Sequence, residues 1–212
     1  EEFVDEKKII SFLKTLNYPL YFFDFETHQQ AIPEYFGVSP YMHIPFQYSL
    51  HIMNRDASID HKEFLADHNS DPRESLVEKL ILDIPANVNV IAYYASFEIA
   101  VLKNLVIQFP KHKKHLESII NNTVDLAEIF KHKYYYHPKM NGSYSIKKVL
   151  GILVPGMEKA YKELGNISKG SDAMQAFPSL RENNDQEEVA KIRGQLKEYC
   201  KLDTQAMVDI YK

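Results

Sequence analysis

The chain is expected to fold as one α/β domain, a mixed sheet flanked by helices. Three observations predict it. Apolar β-type runs occupy the first third of the sequence, and helical periodicities dominate the last third. Between them, short apolar segments at 88–93 and 123–126 each follow a helical stretch, the order in which crossovers add parallel strands. No repeat or low-complexity linker divides the 212 residues, a length that suits one large domain.

The elements read in order. In the N-terminal segment 1–17, residues 3–16 place Ile9, Phe12, Leu13 and Leu16 on one face of an amphipathic helix. The first strand follows near 19–25. Residues 28–45 contain Pro33, Pro40 and Pro45 and read as a long loop. Strands at 46–53 and 59–65 are joined by the polar turn Asn54-Arg55-Asp56, so the first three strands form an antiparallel set. Pro72 opens a helix to about residue 82, with Ser70 or Asp71 as its cap. The segment 88–93 adds a fourth strand, parallel, through that helical crossover. Ser96 starts a helix to about residue 108. Another helix, near 111–120, precedes a short strand at 123–126. Helices are predicted at 143–150, at 173–177 and from about residue 185 to the end. The last carries Val189, Ile192, Leu196, Tyr199 and Asp203 along one side.

Composition narrows the function classes. No run approaches the roughly 20 apolar residues that span a bilayer, and no signal-peptide pattern is present, so no membrane association is expected. The chain begins with Glu1, which suggests a fragment of a longer protein with further domains. Cys200 is the single cysteine. It excludes an internal disulfide and a cysteine-rich zinc site, and it fits a cytoplasmic location. A net charge of −4 does not suit a protein that merely coats nucleic acid. It remains compatible with a nucleic-acid enzyme, because bound cations reverse the field of an acidic site.

The chemistry concentrates in three places. Residues 20–27 read Leu-Tyr-Phe-Phe-Asp-Phe-Glu-Thr. Alternate side chains of a strand share a face, so Asp24 and Glu26 point one way and Phe23 and Phe25 the other. Ionised carboxylates resist burial unless they are paired or hold a metal, and two of them on a rigid strand offer half a site for a hard cation. A second copy of the pattern, Asp185-Gln-Glu187, lies in a polar run and reads as a solvated helix start. The plain alternative for the first copy is a strand end whose acids face water. Glu98 falls in the first helical turn after the strand 88–93, where an acid also simply complements the helix dipole. Tyr199 and Asp203 stand one turn apart on the last helix and share a face; a surface Tyr–Asp pair is the alternative.

The set Asp24-x-Glu26, Phe97-Glu98 and Tyr199-x-x-x-Asp203 resembles the DEDD superfamily of 3′–5′ exonucleases, in the variant with a tyrosine in the third motif. That resemblance implies a ribonuclease-H-like fold. The segments 44–51, 142–150 and 167–170, with Ala173, are similar to a bacterial family of unknown function in the same clan. One departure stands out. The second motif usually reads Asn-x-x-Phe-Asp, and here it reads Tyr94-Ala-Ser-Phe97-Glu98.

The resemblance implies hydrolysis of phosphodiesters in single-stranded DNA or RNA, assisted by two Mg²⁺ or Mn²⁺ ions. Asp24 bridges both ions in that scheme. Glu26 and Asp203 complete one site, Glu98 serves the other, and Tyr199 orients the attacking water. Asp125, on the strand 123–126, is a supporting acid near the site or a cap for the following helix. Softer expectations place Thr27, Tyr135, Lys147 and Lys148 at the substrate. Tyr135 belongs to the mixed cationic and aromatic run 131–139, which suits strand binding and equally suits a loop with its tyrosines folded onto the core. The competing function is a catalytically weak or inactive module of the same fold that binds nucleic acid or protein.

Overall fold

The computed structural model describes residues 1–212, apart from the side chains of Glu158 and Lys162. Its elements are β1 (Phe3–Val4), α1 (Glu6–Leu13), β2 (Leu20–His28), β3 (Ile44–Met53), β4 (Ile59–Leu65), α2 (Arg73–Asp83), β5 (Asn89–Ala92), α3 (Ser96–Gln108), α4 (Lys113–Asn121), β6 (Thr123–Asp125), α5 (Glu128–Lys131), β7 (Tyr135–Tyr136), α6 (Ile146–Leu153), α7 (Glu158–Glu163), α8 (Gly170–Ser179) and α9 (Gln186–Tyr211). Five strands form a mixed sheet in the order β4-β3-β2-β5-β6, flanked by helices. β2 pairs antiparallel with β3, and β3 with β4; β5 joins β2 in parallel, and β6 joins β5 in parallel. The acid-bearing strand therefore lies in the middle of the sheet.

The period-2 alternation of β2 builds both faces. Tyr21, Phe23 and Phe25 pack with Leu76, Val77 and Leu80 of α2, Val101, Leu102 and Leu105 of α3, and Leu116 and Ile119 of α4. Leu20 and Phe22 face Met207 and Val208 of α9 and Val149 of α6. Asp24 and Glu26 continue that second face. Beyond them, Phe46 packs with Phe177, Leu196 and Tyr199. Each fully buried aromatic contributes about 1.5–3 kcal/mol. An acid on this strand therefore displaces a residue that would stabilise the fold.

The pairing register shifts between Glu26, opposite Gln47, and Thr27, opposite Pro45. Phe46 is thereby left as the extra residue on β3, and its ring stacks on Phe177 at 4.1 Å. Such bulges re-aim side chains where a strand leaves its regular ladder.

Several boundaries differ from the sequence expectation. β2 runs three residues further than predicted, to His28, where Thr27 and His28 are buried and the His28 ring packs against Phe46 and Phe177. α1 is confined to Glu6–Leu13, with Asp5 accepting from the Lys8 N–H as its cap. Residues ahead of it form a small antiparallel ribbon, β1 with β7, that carries no periodic signal. α3 starts at Ser96 and ends at Gln108 as expected, with Ala95 in the cap position. The predicted 143–150 helix starts at Ile146, and α7 has no counterpart in the sequence reading. No helix among the described residues is long and apolar enough to cross a membrane.

Candidate active site

Three segments far apart in sequence deliver carboxylates to one place. β2 supplies Asp24 and Glu26, α3 supplies Glu98 from its first turn, and α9 supplies Asp203. Glu26 and Glu98 are buried, at 6% and 2% exposure, and Asp24 is partly buried. Their mutual proximity appears in their acidities. Burial first, then the charges of Asp203, Glu98 and Glu26, push Asp24 well above the usual carboxylate range. Burial first, then Asp203 and Glu98, do the same to Glu26. Glu98 is pushed up to about 8, chiefly by burial, with Asp125 adding repulsion. Both acids of β2 respond to its charge, but Glu98 is not among the residues whose ligand atoms lie within 4.8 Å of one another there, which are Asp24, Glu26 and Cys200.

α9 is locked in register behind these acids. Gln47 Nε2 donates to the Leu196 carbonyl at 2.9 Å. The Thr204 hydroxyl meets the Ser49 hydroxyl at 2.7 Å and His51 Nδ1 at 2.8 Å. Ser49 lies directly opposite Asp24 across the β2–β3 ladder. A buried polar chain thus fixes the residue next to Asp203, and a satisfied network of this kind specifies one arrangement.

Asp203 is held from two sides. The Tyr161 hydroxyl donates to Asp203 Oδ1 at 2.6 Å. Tyr199 turns its own hydroxyl toward the same carboxylate. Burial and the neighbouring acids drive both phenols well above their usual range, so each acts as a donor and not as a base. Lys147 Nζ lies over the Tyr161 ring at 4.5 Å and the Tyr199 ring at 5.4 Å, and it donates to the Ser168 carbonyl at 2.6 Å. Its positive charge counters the rise in pKa at both Glu26 and Asp203.

The other predicted residues divide. Asp125 Oδ1 accepts from Tyr94 N–H at 3.0 Å and from Ala127 N–H at 2.9 Å. It therefore fastens the β5–α3 turn and the start of α5, beside Glu98. Thr27 is buried and hydrogen-bonds His43 Nδ1 at 2.8 Å, and the His43 ring meets Phe97 edge-on at 5.0 Å. It braces the second motif and has no free hydroxyl face. Lys148 is exposed on α6. Tyr135 stands apart from the other candidates. It lies in the β1–β7 ribbon, donates to Glu2 Oε1 at 2.7 Å, and packs against Phe130. None of its described contacts is with the carboxylates. The second acidic copy behaves as a helix start: Asp185 caps α9 by accepting from the Glu187 and Glu188 N–H groups.

Two residues escaped the sequence reading. Cys200 offers its sulfur within 4.8 Å of ligand oxygens of Asp24 and Glu26. It stands three residues before Asp203 on the same helix, so a helical wheel places it on that side. Burial and the acids keep its thiol protonated. Tyr161 sits on a six-residue helix with no preceding motif, and no local signal announces it.

The donor set fits a hard divalent cation. Asp24, Glu26 and Cys200 bring ligand atoms within 4.8 Å of one another, a group that does not include Glu98 or Asp203, and Glu98 Oε2 is buried with no hydrogen-bond partner among the described residues. A buried oxygen left in this way costs about 1–3 kcal/mol unless something else satisfies it. Oxygen-rich sets favour Mg²⁺ or Mn²⁺ over zinc.

The class defined so far is a mixed α/β domain with an acidic cluster centred on the middle strand of its sheet. The chain belongs to the family described as Domain of unknown function (DUF2779), whose model matches residues 21–145. That span includes Asp24, Glu26, Glu98 and Asp125 and ends before α9. The chain is also similar to the uncharacterized protein MG366 of Mycoplasma genitalium, with 29% identity over 214 aligned positions and 89% of this chain covered. The aligned region is 31% of that protein's length.

Proposed function

We propose that this domain is a metal-dependent 3′–5′ exonuclease that hydrolyses phosphodiesters of single-stranded DNA or RNA. In this reading the sheet is ribonuclease-H-like and the acidic cluster is that of the DEDD exonucleases with a motif tyrosine. One observation carries it: acids from three distant segments lie near enough that Asp203 and Glu98 raise the pKa of Asp24 and Glu26, and Glu98 Oε2 has no hydrogen-bond partner among the described residues. A structural role does not account for two strand acids, Asp24 and Glu26, held beside further carboxylate charge.

Asp24, Glu26, Glu98 and Asp203 are the residues to hold Mg²⁺ or Mn²⁺. Such ions, when bound, lower the pKa of a water and stabilise the leaving oxyanion. The protein's own groups do the rest. Tyr199, held protonated and one helical turn from Asp203, orients the nucleophilic water through its hydroxyl. Tyr161 fixes the rotamer of Asp203. Lys147 places an ammonium beside Glu26 and Asp203, where it offsets part of the cluster's charge and faces an incoming phosphate. Thr27, through His43, steadies Phe97 and so the turn that carries Glu98.

The test uses end-labelled single-stranded oligonucleotides with Mn²⁺. The wild type is expected to shorten them progressively, with loss of at least a hundredfold in Asp24→Ala and Asp203→Ala. Equal shortening by the variants, or none by the wild type, would contradict the proposal. Intact circular single strands would distinguish exonuclease from internal cutting.

A further inference from the structure

Tyr94 stands where β5 gives way to α3, and its backbone has φ 61°. The left-handed conformation costs a residue with a Cβ about 1–2 kcal/mol, and a bulky aromatic is uncommon there. Core packing does not explain the choice, because Tyr94 is 41% exposed. The strain is held in place from behind: Asp125 accepts the Tyr94 N–H at 3.0 Å, and the Tyr94 carbonyl accepts from Phe97 N–H at 3.0 Å.

The ring is also buttressed. Tyr94 meets Tyr93 edge-on at 5.2 Å and lies 5.5 Å from Tyr144. Tyr93 donates its hydroxyl to the Tyr144 carbonyl at 2.5 Å, which ties the 141–145 loop to β5. Tyr144 in turn lines a shallow hollow with Lys131 and Lys133. Lys131 is paired with Glu128 at 2.6 Å, and Lys133 is exposed. A strained, exposed tyrosine thus lies four residues before Glu98, backed by the half-buried Tyr144 with cations beside it.

We infer that Tyr94 and Tyr144 form a stacking shelf for a nucleobase of a single strand whose scissile phosphate lies at the carboxylates. The inference rests on the nuclease reading and adds to it how the strand is gripped. Aromatic faces stack any base, so the shelf confers affinity without sequence preference, and the lysines of the hollow meet the backbone. Tyr94 takes the place of the asparagine usual in the second motif, exchanging amide hydrogen bonds for a stacking surface.

The experiment measures equilibrium binding of fluorescent single strands with Ca²⁺ in place of Mn²⁺, so that cleavage is suppressed. One strand carries all its bases, and the other is abasic at its last three positions. The wild type is expected to prefer the complete strand by about tenfold or more. Tyr94→Gly should lose that preference while melting no lower than the wild type, because glycine relieves the left-handed strain. Tyr94→Phe should retain it, and Tyr144→Ala should reduce it. A Tyr94→Gly protein that keeps the full preference would overturn the shelf. If it does so while the wild type still shortens strands in Mn²⁺, only the shelf falls. If the wild type neither binds nor shortens any strand, the nuclease reading falls with it.

Discussion

Glu98 is the residue at which stability and proposed function oppose each other most clearly. Its carboxyl is buried, one oxygen has no partner among the described residues, and its pKa is pushed up to about 8. A folded-state pKa above the unfolded value near 4.3 means that the unfolded chain releases this proton first. The group's favourable contribution is complete below about pH 4 and is lost as pH rises through 8. In chelator, Glu98→Gln should therefore melt higher than the wild type at pH 8.5, by on the order of 2–4 kcal/mol, and near the wild type at pH 4. The same substitution should weaken Mn²⁺ binding. A melting curve of Glu98→Gln that falls below the wild type at pH 8.5 would contradict this account of the side chain.

At the scale of elements, α9 has two ends with different duties. Its middle presents Leu196, Tyr199, Cys200 and Asp203 to β2 and β3, fixed by Gln47, Ser49 and His51. Its start is closed by Asp185, a capping acid in exposed sequence. Asp185→Ala should cost about 1 kcal/mol of stability, the usual value of an N-cap, and leave strand shortening unchanged. A loss of cleavage greater than the loss of folded protein would show that the helix start reaches the site. The contrast explains what the sequence could reveal. The Asp24-x-Glu26 pair was legible because its acids interrupt an apolar alternation, and Tyr199-x-x-x-Asp203 because one helical turn puts both on an apolar side. Glu98 was legible only by position. Tyr161 was not, since a single turn-and-a-half of helix has no period to read. The β1–β7 ribbon was missed for the same reason, as two-residue strands carry no alternation. The bulge at Phe46 depends on its stacking with Phe177, more than a hundred residues away in the chain.

For the whole molecule, the mixed sheet followed from the order of apolar runs, and the pairing of β2 with both β3 and β5 places the acids at its centre. The net charge of −4 gives no overall attraction for a polyanion. On the proposed reading, binding of a nucleic acid would then depend on cations held at the carboxylates and on local groups such as Lys147. Mn²⁺ binding is accordingly the most direct measurement of the central claim. Calorimetric titration should give saturable Mn²⁺ binding by the wild type and by Asp185→Ala, which alters the other copy of the acidic pattern. Asp24→Ala and Asp203→Ala, confirmed as folded by circular dichroism, should bind at least tenfold more weakly. Equal binding by all four proteins, or no binding by the wild type, would contradict the assignment of the four carboxylates to a metal site.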